Sequence, residues 1–273
     1  MAIAVVLGLM AGVGGASALE WLNAGFTTPR EVEDTLGFPL LASISRMLPS
    51  DLTIDGAVAA ITDYPALKPL SPFSEAVRSL RSGIQMADLD HPPKVLQFTS
   101  TVPGEGKTTL ALSLAASAAQ AGAKVLFIDS DLRHPSSSRL FGLQKEKGLV
   151  DYLIGEAELG DVVHYQQKVR HWVLPAGGTT QNPSDLLGSE RMKKLVEQFR
   201  AKFDLIVFDT PPTGPVIDPT VVARHLADKV VYVVRWASTP RGSVQRSVSQ
   251  LSCHAEIAGV VFNYVDDAQA RKY

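Results

Sequence analysis

The sequence predicts an α/β fold with a mainly parallel sheet covered by helices on both faces, and three observations carry that reading. Continuous apolar runs recur at residues 95–99, 125–129, 205–209, 230–235 and 258–262. Helical patterns at 107–120, 190–200, 219–226 and 242–251 alternate with them. Strands that are apolar on both faces and separated by helices are what a buried parallel sheet requires. The third observation is a glycine-rich turn between the first of these strands and the first of these helices, a place where such folds bind anions.

Taken in order, the chain opens on AIAVVLGLMAGVGGASAL, residues 2–19, which is uncharged until Glu20. A run of that length reaches the lower end of the ~20 apolar residues that cross a bilayer. No basic segment precedes it, so it does not read as a secretory signal. The expectation is a transmembrane helix over residues 1–22, ending near Trp21, an interfacial type of residue. Residues 23–72 read as a juxtamembrane segment and linker. Within them Thr27 or Thr28 caps a short helix with Pro29 in its first turn, and Gly37 and Pro39 end it. Residues 40–44 suit a short strand, and prolines 49, 65, 69 and 72 mark the linker.

From Ser74 the pattern becomes helical, with Val77, Leu80 and Ile84 on one stripe and Glu75, Arg78 and Arg81 on another. Residues 73–265 form the nucleotide-binding domain, with a possible further strand at 172–174, and 266–273 form a short tail. The composition narrows the function classes. A formal net charge of −2 gives no field that recruits nucleic acid. Cys253 is the only cysteine, which excludes a disulfide framework and a cysteine metal cluster, and its expected place is a small buried site. The six histidines include no HExxH spacing, so a zinc enzyme is not indicated.

After strand 95–99 the chain reads Ser100, Thr101, Val102, Pro103, Gly104, Glu105, Gly106, Lys107, Thr108, Thr109. Gly104 and Gly106 permit turns that bring backbone amides to phosphate oxygens. Lys107 neutralises the β- and γ-phosphates, and Thr108 places its hydroxyl on Mg²⁺. This is a phosphate loop of the P-loop NTPase kind, with Thr101 where the standard motif has its first glycine. Strand 125–129 runs into IDSDLRHP, which puts Asp129 and Asp131 at a strand's carboxyl end, pointing the same way. Strand 205–209 ends on Asp209 in VFDTPP. Three carboxylates converging there would repel one another unless a divalent cation relieved them. ATP and Mg²⁺ are the cofactors this pattern calls for.

Together the phosphate loop, IDSDLRHP and VFDTPP resemble the bacterial protein-tyrosine kinases of exopolysaccharide export, the cytoplasmic parts of polysaccharide co-polymerases, which are related to the MinD/ParA ATPases. Gly177-Gly178 followed by residues 182–187, NPSDLL, resembles that family's GG…NPSELL segment, and the resemblance covers roughly residues 1–265. It implies that Asp129 positions or deprotonates a tyrosine hydroxyl, with Asp131 and Asp209 completing the metal site. Arg235 and Asn263 are implied near the nucleotide base. Glu75, Arg78 and Arg81 match the ExxRxxR helix that joins subunits into a ring. Arg133 reads as a polar loop residue whose role, near the phosphates or at the subunit boundary, stays open. Val102 stands where MinD/ParA loops carry their signature lysine.

The implied function is autophosphorylation in trans, with Tyr273 the single tail tyrosine, in regulation of polysaccharide polymerisation and export. The alternatives are an ATPase switch or a nucleotide-binding scaffold of the same machinery. The implied partners are export proteins and a periplasmic or membrane co-polymerase subunit, or a missing N-terminal half. The implied location is the bacterial inner membrane with the catalytic domain cytoplasmic.

Overall fold

The computed structural model describes residue 12 and residues 25–54, 57–86, 90 and 92–270. Its strands are β1 (Leu40–Ser45), β2 (Thr53–Ile54), β3 (Ala57–Val58), β4 (Val95–Ser100), β5 (Val125–Asp129), β6 (His164–Gln166), β7 (His171–Leu174), β8 (Leu205–Asp209), β9 (Lys229–Arg235) and β10 (Ile257–Val265). Eight of them form one sheet in the order β1-β10-β9-β4-β8-β5-β7-β6. Every pairing is parallel except β6 against β7.

The period-two alternation of each strand distributes its apolar residues to two covered faces. Leu96, Phe98, Val125, Phe127, Val207, Val231 and Val233 pack on one side against helices Pro72–Met86 and Lys107–Gln120. Val95, Leu126, Ile128, Ile206 and Phe208 face the other side, against helices Leu149–Ile154 and Glu190–Arg200. Farther along that side, Val230, Tyr232, Val234, Val260 and Phe262 meet helices Arg241–Ser252 and Pro29–Leu36. Helix Lys107–Gln120 is buried along most of its length, which its alanines and serines permit by letting neighbours approach closely. The sheet is therefore read correctly from continuous apolar strands.

The segment before the phosphate loop is more ordered than a linker. Thr28 caps helix Pro29–Leu36 in a capping box with Glu31, and Gly37 closes the helix in the left-handed region. Strand β1 then joins the main sheet beside β10. Residues 45–72 hold the β2–β3 hairpin and the short helix Tyr64–Leu67.

Two expectations are corrected. Among the described residues no helix is long and apolar enough to cross a membrane. A crossing takes about 20 apolar residues, whereas helix Pro72–Met86 has 15 and carries a charged stripe. The transmembrane helix expected over residues 1–22, and the inner-membrane location drawn from it, therefore find no support; apart from residue 12, that segment lies outside the described residues. Cys253 is exposed rather than buried. It caps the end of helix Arg241–Ser252, whose inward stripe is Val244, Val248 and Leu251.

Candidate active site

The site forms at the carboxyl ends of β4, β5 and β8, where strand order places successive loops side by side. Residues 101–106 turn from β4 into helix Lys107–Gln120, with Gly104 at φ 82° and Gly106 at φ 86°. A side chain at Gly106 would have to displace Asn263, because a Cβ there would stand 2.0 Å from Asn263 Nδ2. The loop thus delivers backbone N–H groups and a helix amino terminus to one place.

Lys107 Nζ donates to Asp209 Oδ1 at 3.2 Å and lies 3.5 Å from Asp131 Oδ2. Thr108 Oγ1 donates to Asp209 Oδ2 at 2.7 Å. Burial works against the Lys107 ammonium, but Asp209 and then Asp131 outweigh it and hold the lysine above its ordinary value. Asp131 also accepts from the His134 amide at 3.0 Å, which shapes the turn after β5.

Asp129 and Asp209 are register partners on adjacent parallel strands. Their carboxylates are nevertheless engaged differently. Asp129 Oδ2 accepts from Ser138 N at 3.1 Å and Ser138 Oγ at 2.9 Å. Burial first, and Asp209 second, push the Asp129 carboxyl up to about 6. Among the described residues no three acidic or histidine side chains gather as a metal cluster. The expected convergence of three carboxylates is accordingly looser than that: Asp209 and Asp131 share Lys107, while Asp129 is turned to Ser138. Thr108 and Asp209 are the joined oxygen donors. That set suits Mg²⁺, which takes one or two protein oxygens and otherwise keeps water and substrate phosphates.

Glu105 is almost wholly buried, and its side chain serves the loop itself. Oε2 accepts from Thr101 N at 2.6 Å and Val102 N at 2.8 Å. Oε1 accepts from Arg235 N at 3.0 Å and from the Thr239 hydroxyl. Burial raises the Glu105 carboxyl above the ordinary glutamate value, against the lowering effect of those donors. Asn263 Nδ2 donates to the Glu105 carbonyl at 2.8 Å. The Arg235 guanidinium lies 5.1 Å from the centre of the Tyr264 ring. A cavity of about 260 Å³ beside the loop is bordered by Thr109, Asn263, Tyr264, Met47 and Leu52.

Arg133 holds Asp218 with two nitrogens, at 2.7 and 3.3 Å, and Ser184 Oγ donates to the same carboxylate at 2.6 Å. The turn after β5, the NPSDLL segment and helix Asp218–His225 are thereby tied together. On helix Pro72–Met86, Arg78 pairs with Glu75, whereas Arg81 turns inward to the Ser117 carbonyl at 2.7 Å. Tyr273 lies outside the described residues.

Ser138, Thr239 and Asp218 are absent from the sequence reading, and Ser184 stands there only within the NPSDLL segment, since side-chain pairing across the fold leaves no spacing pattern. Glu105 alone left a signal. A carboxylate inside a phosphate loop opposes the anion unless the protein itself occupies it.

The AAA domain family matches residues 93–243. The putative tyrosine-protein kinase EpsB of Ralstonia nicotianae is 34% identical over 272 residues, covering 97% of this chain and 36% of EpsB. This chain therefore spans about a third of that relative's length. Tyrosine-protein kinase YwqD of Bacillus subtilis is 34% identical over 197 residues, covering 72% of this chain and 83% of YwqD. The kinase domain of the Escherichia coli tyrosine kinase ETK superposes with a TM-score of 0.81 at 32% identity, covering 88% of this chain and 95% of that one.

Proposed function

This chain belongs to the bacterial tyrosine-protein kinase family, built on an AAA domain, and from that premise we propose that it transfers the γ-phosphoryl group of ATP to protein tyrosine in control of exopolysaccharide polymerisation and export. One observation carries the reading. Lys107, Thr108 and Asp209 are joined at the mouth of a glycine-turned phosphate loop, on the carboxyl ends of a parallel sheet.

In this reading the loop amides of residues 104–106, left free by the Glu105 bonds to Thr101 N and Val102 N, and Lys107 bind the nucleotide phosphates, and Arg235 and Asn263 border the base. Thr108 and Asp209, with Asp131 beside them, would hold Mg²⁺, which would supply charge neutralisation on the phosphates. Phosphoryl transfer asks the protein for position and charge rather than covalent chemistry. Asp129 accepts the phenolic proton: a carboxyl held near 6 is ionised at neutral pH yet more basic than an exposed one. Glu75, exposed on its helix, and the half-buried Arg78 paired with it support a self-association face of the ring-forming kind. Export proteins and a co-polymerase subunit are the partners this function implies.

Incubation of the purified chain with Mg²⁺-ATP, followed by mass spectrometry, tests the proposal. Phosphotyrosine is expected, with a loss of at least about 100-fold in Lys107→Met that circular dichroism shows to be folded. Undiminished phosphotyrosine in the folded variant overturns the site assignment. ATP hydrolysis without any phosphotyrosine makes the chain an ATPase switch instead.

A further inference from the structure

The phosphate loop is held from its far side by contacts that converge on Glu105. The carboxylate accepts two donors from the loop's own start, Thr101 N and Val102 N, on one oxygen. The other oxygen accepts from outside the loop, from Arg235 N at the end of β9 and the Thr239 hydroxyl beyond it. The backbone carbonyl of the same residue accepts from Asn263 on β10. Both carboxylate oxygens are therefore fully engaged by four donors, and no ammonium or guanidinium is among them. Such charge-assisted bonds recover part of the cost of burying a carboxylate, the remainder showing as the raised Glu105 value.

We propose that Glu105 is a positioning residue that couples the β9 and β10 loops, where Arg235 and Asn263 stand, to the set of the phosphate loop. It fixes the amide turn of residues 101–102 and leaves the later loop amides for the phosphates. Any ligand-driven movement of residues 235–239 is transmitted through the Oε1 bonds to the loop that cradles the triphosphate. Asn263 also stands against Gly106, where an added Cβ would meet its Nδ2 at 2.0 Å, so the β10 side touches the loop at two successive residues.

The substitution Glu105→Gln is the informative one, since it keeps the shape but replaces one two-donor acceptor with an NH₂. That group then faces donors on whichever side it is placed, so one half of the clasp is lost. Thr239→Val removes a single outside donor and leaves the loop's own bonds intact, and Thr239→Ser restores it.

The inference rests on the nucleotide-binding reading, and calorimetry with Mg²⁺ and a non-hydrolysable ATP analogue separates their failures. No binding by the wild type overturns that reading. With wild-type binding established, positioning predicts that Glu105→Gln weakens affinity by about 10-fold or more and raises the KM for ATP while lowering kcat. Thr239→Val is expected to weaken affinity by about 3- to 10-fold, with recovery in Thr239→Ser and ligand-free melting temperatures near that of wild type. Unchanged affinity and kinetics in folded Thr239→Val and Glu105→Gln overturn the role. So does a fall in melting temperature with affinity unchanged well below it, which marks a structural bond alone. If Glu105→Gln does not fold, the Thr239 pair decides by the same readouts.

Discussion

Burial and the adjoining Asp209 push the Asp129 carboxyl up to about 6 from the ordinary aspartate value of 3.8, so this residue destabilises the ligand-free fold at neutral pH. The unfolded chain gives up the proton near 3.8, while the folded chain holds it until about 6. Stability from this group is thus greatest at low pH, falls as pH rises through that window, and levels off above it. Asp129→Asn keeps an acceptor for Ser138 and removes the charge. It is expected to stabilise the chain at pH 7 by roughly 1–3 kcal/mol, with the gain vanishing toward pH 4, while phosphoryl transfer falls. Urea titrations at pH 4 and 7 beside a phosphotyrosine assay check both halves. A destabilised variant at pH 7 would show that the charge is compensated in the fold. Lys107 carries the opposite strain, for removing it leaves Asp209 and Asp131 buried without their cation. Loss of one partner from such a pair typically costs about 3–5 kcal/mol, and a lowered melting temperature is expected in Lys107→Met.

Within the phosphate loop the two glycines differ in what surrounds them. Both are left-handed, but a Cβ on Gly104 meets nothing within 4 Å, whereas one on Gly106 meets Asn263 Nδ2 at 2.0 Å and Tyr264 at 3.3 Å. Gly104→Ala is expected to cost about 1–2 kcal/mol of backbone strain and to retain nucleotide binding. Gly106→Ala displaces Asn263 from the Glu105 carbonyl as well, and affinity is expected to fall by at least about 10-fold beyond the Gly104 variant. Calorimetry on both decides; equal affinities would remove the closure against Asn263 as a constraint.

The contrast between these glycines is invisible in the sequence, which shows only two turn formers before a lysine. Strands 125–129 and 205–209 and helix 107–120 are readable to the residue because apolar continuity, a terminal acid and a long helical run all agree. Strand β6 has three residues, and helices Ser137–Leu140 and Leu159–Val162 have four each, too short for any periodicity to declare itself. Of the site, Lys107, Thr108 and the strand-end aspartates are legible because each sits at a place where an element stops. The engagement of Asp129 by Ser138, and of Asp218 by Arg133, depends on side-chain direction across the fold, which spacing does not encode.

At the scale of the whole molecule, the question is whether one chain acts on another. The candidate site opens at one end of the sheet, while Glu75 lies exposed, and Arg78 half-buried beside it, on a helix that packs against the helix leading from the phosphate loop. Arg81 is different from its two neighbours, since its bond to the Ser117 carbonyl ties it to that same helix. An Arg81 substitution therefore mixes stability with association, and Glu75→Ala is the cleaner probe of the face. A reaction between chains depends on their encounter, so its rate per molecule falls on dilution below the dissociation constant, whereas that of a reaction within one chain does not. Phosphotyrosine formation per chain is expected to drop roughly in proportion over a tenfold dilution below that constant, and Glu75→Ala is expected to enter this regime at a higher concentration. Mixing Lys107→Met with wild type carrying Tyr273→Phe separates donor from acceptor. Phosphate at Tyr273 of the lysine variant, formed only in the mixture, establishes transfer between chains at that tyrosine. Equal rates at every dilution, with no phosphate on the lysine variant, would place the reaction within a single chain and remove self-association from the catalytic cycle.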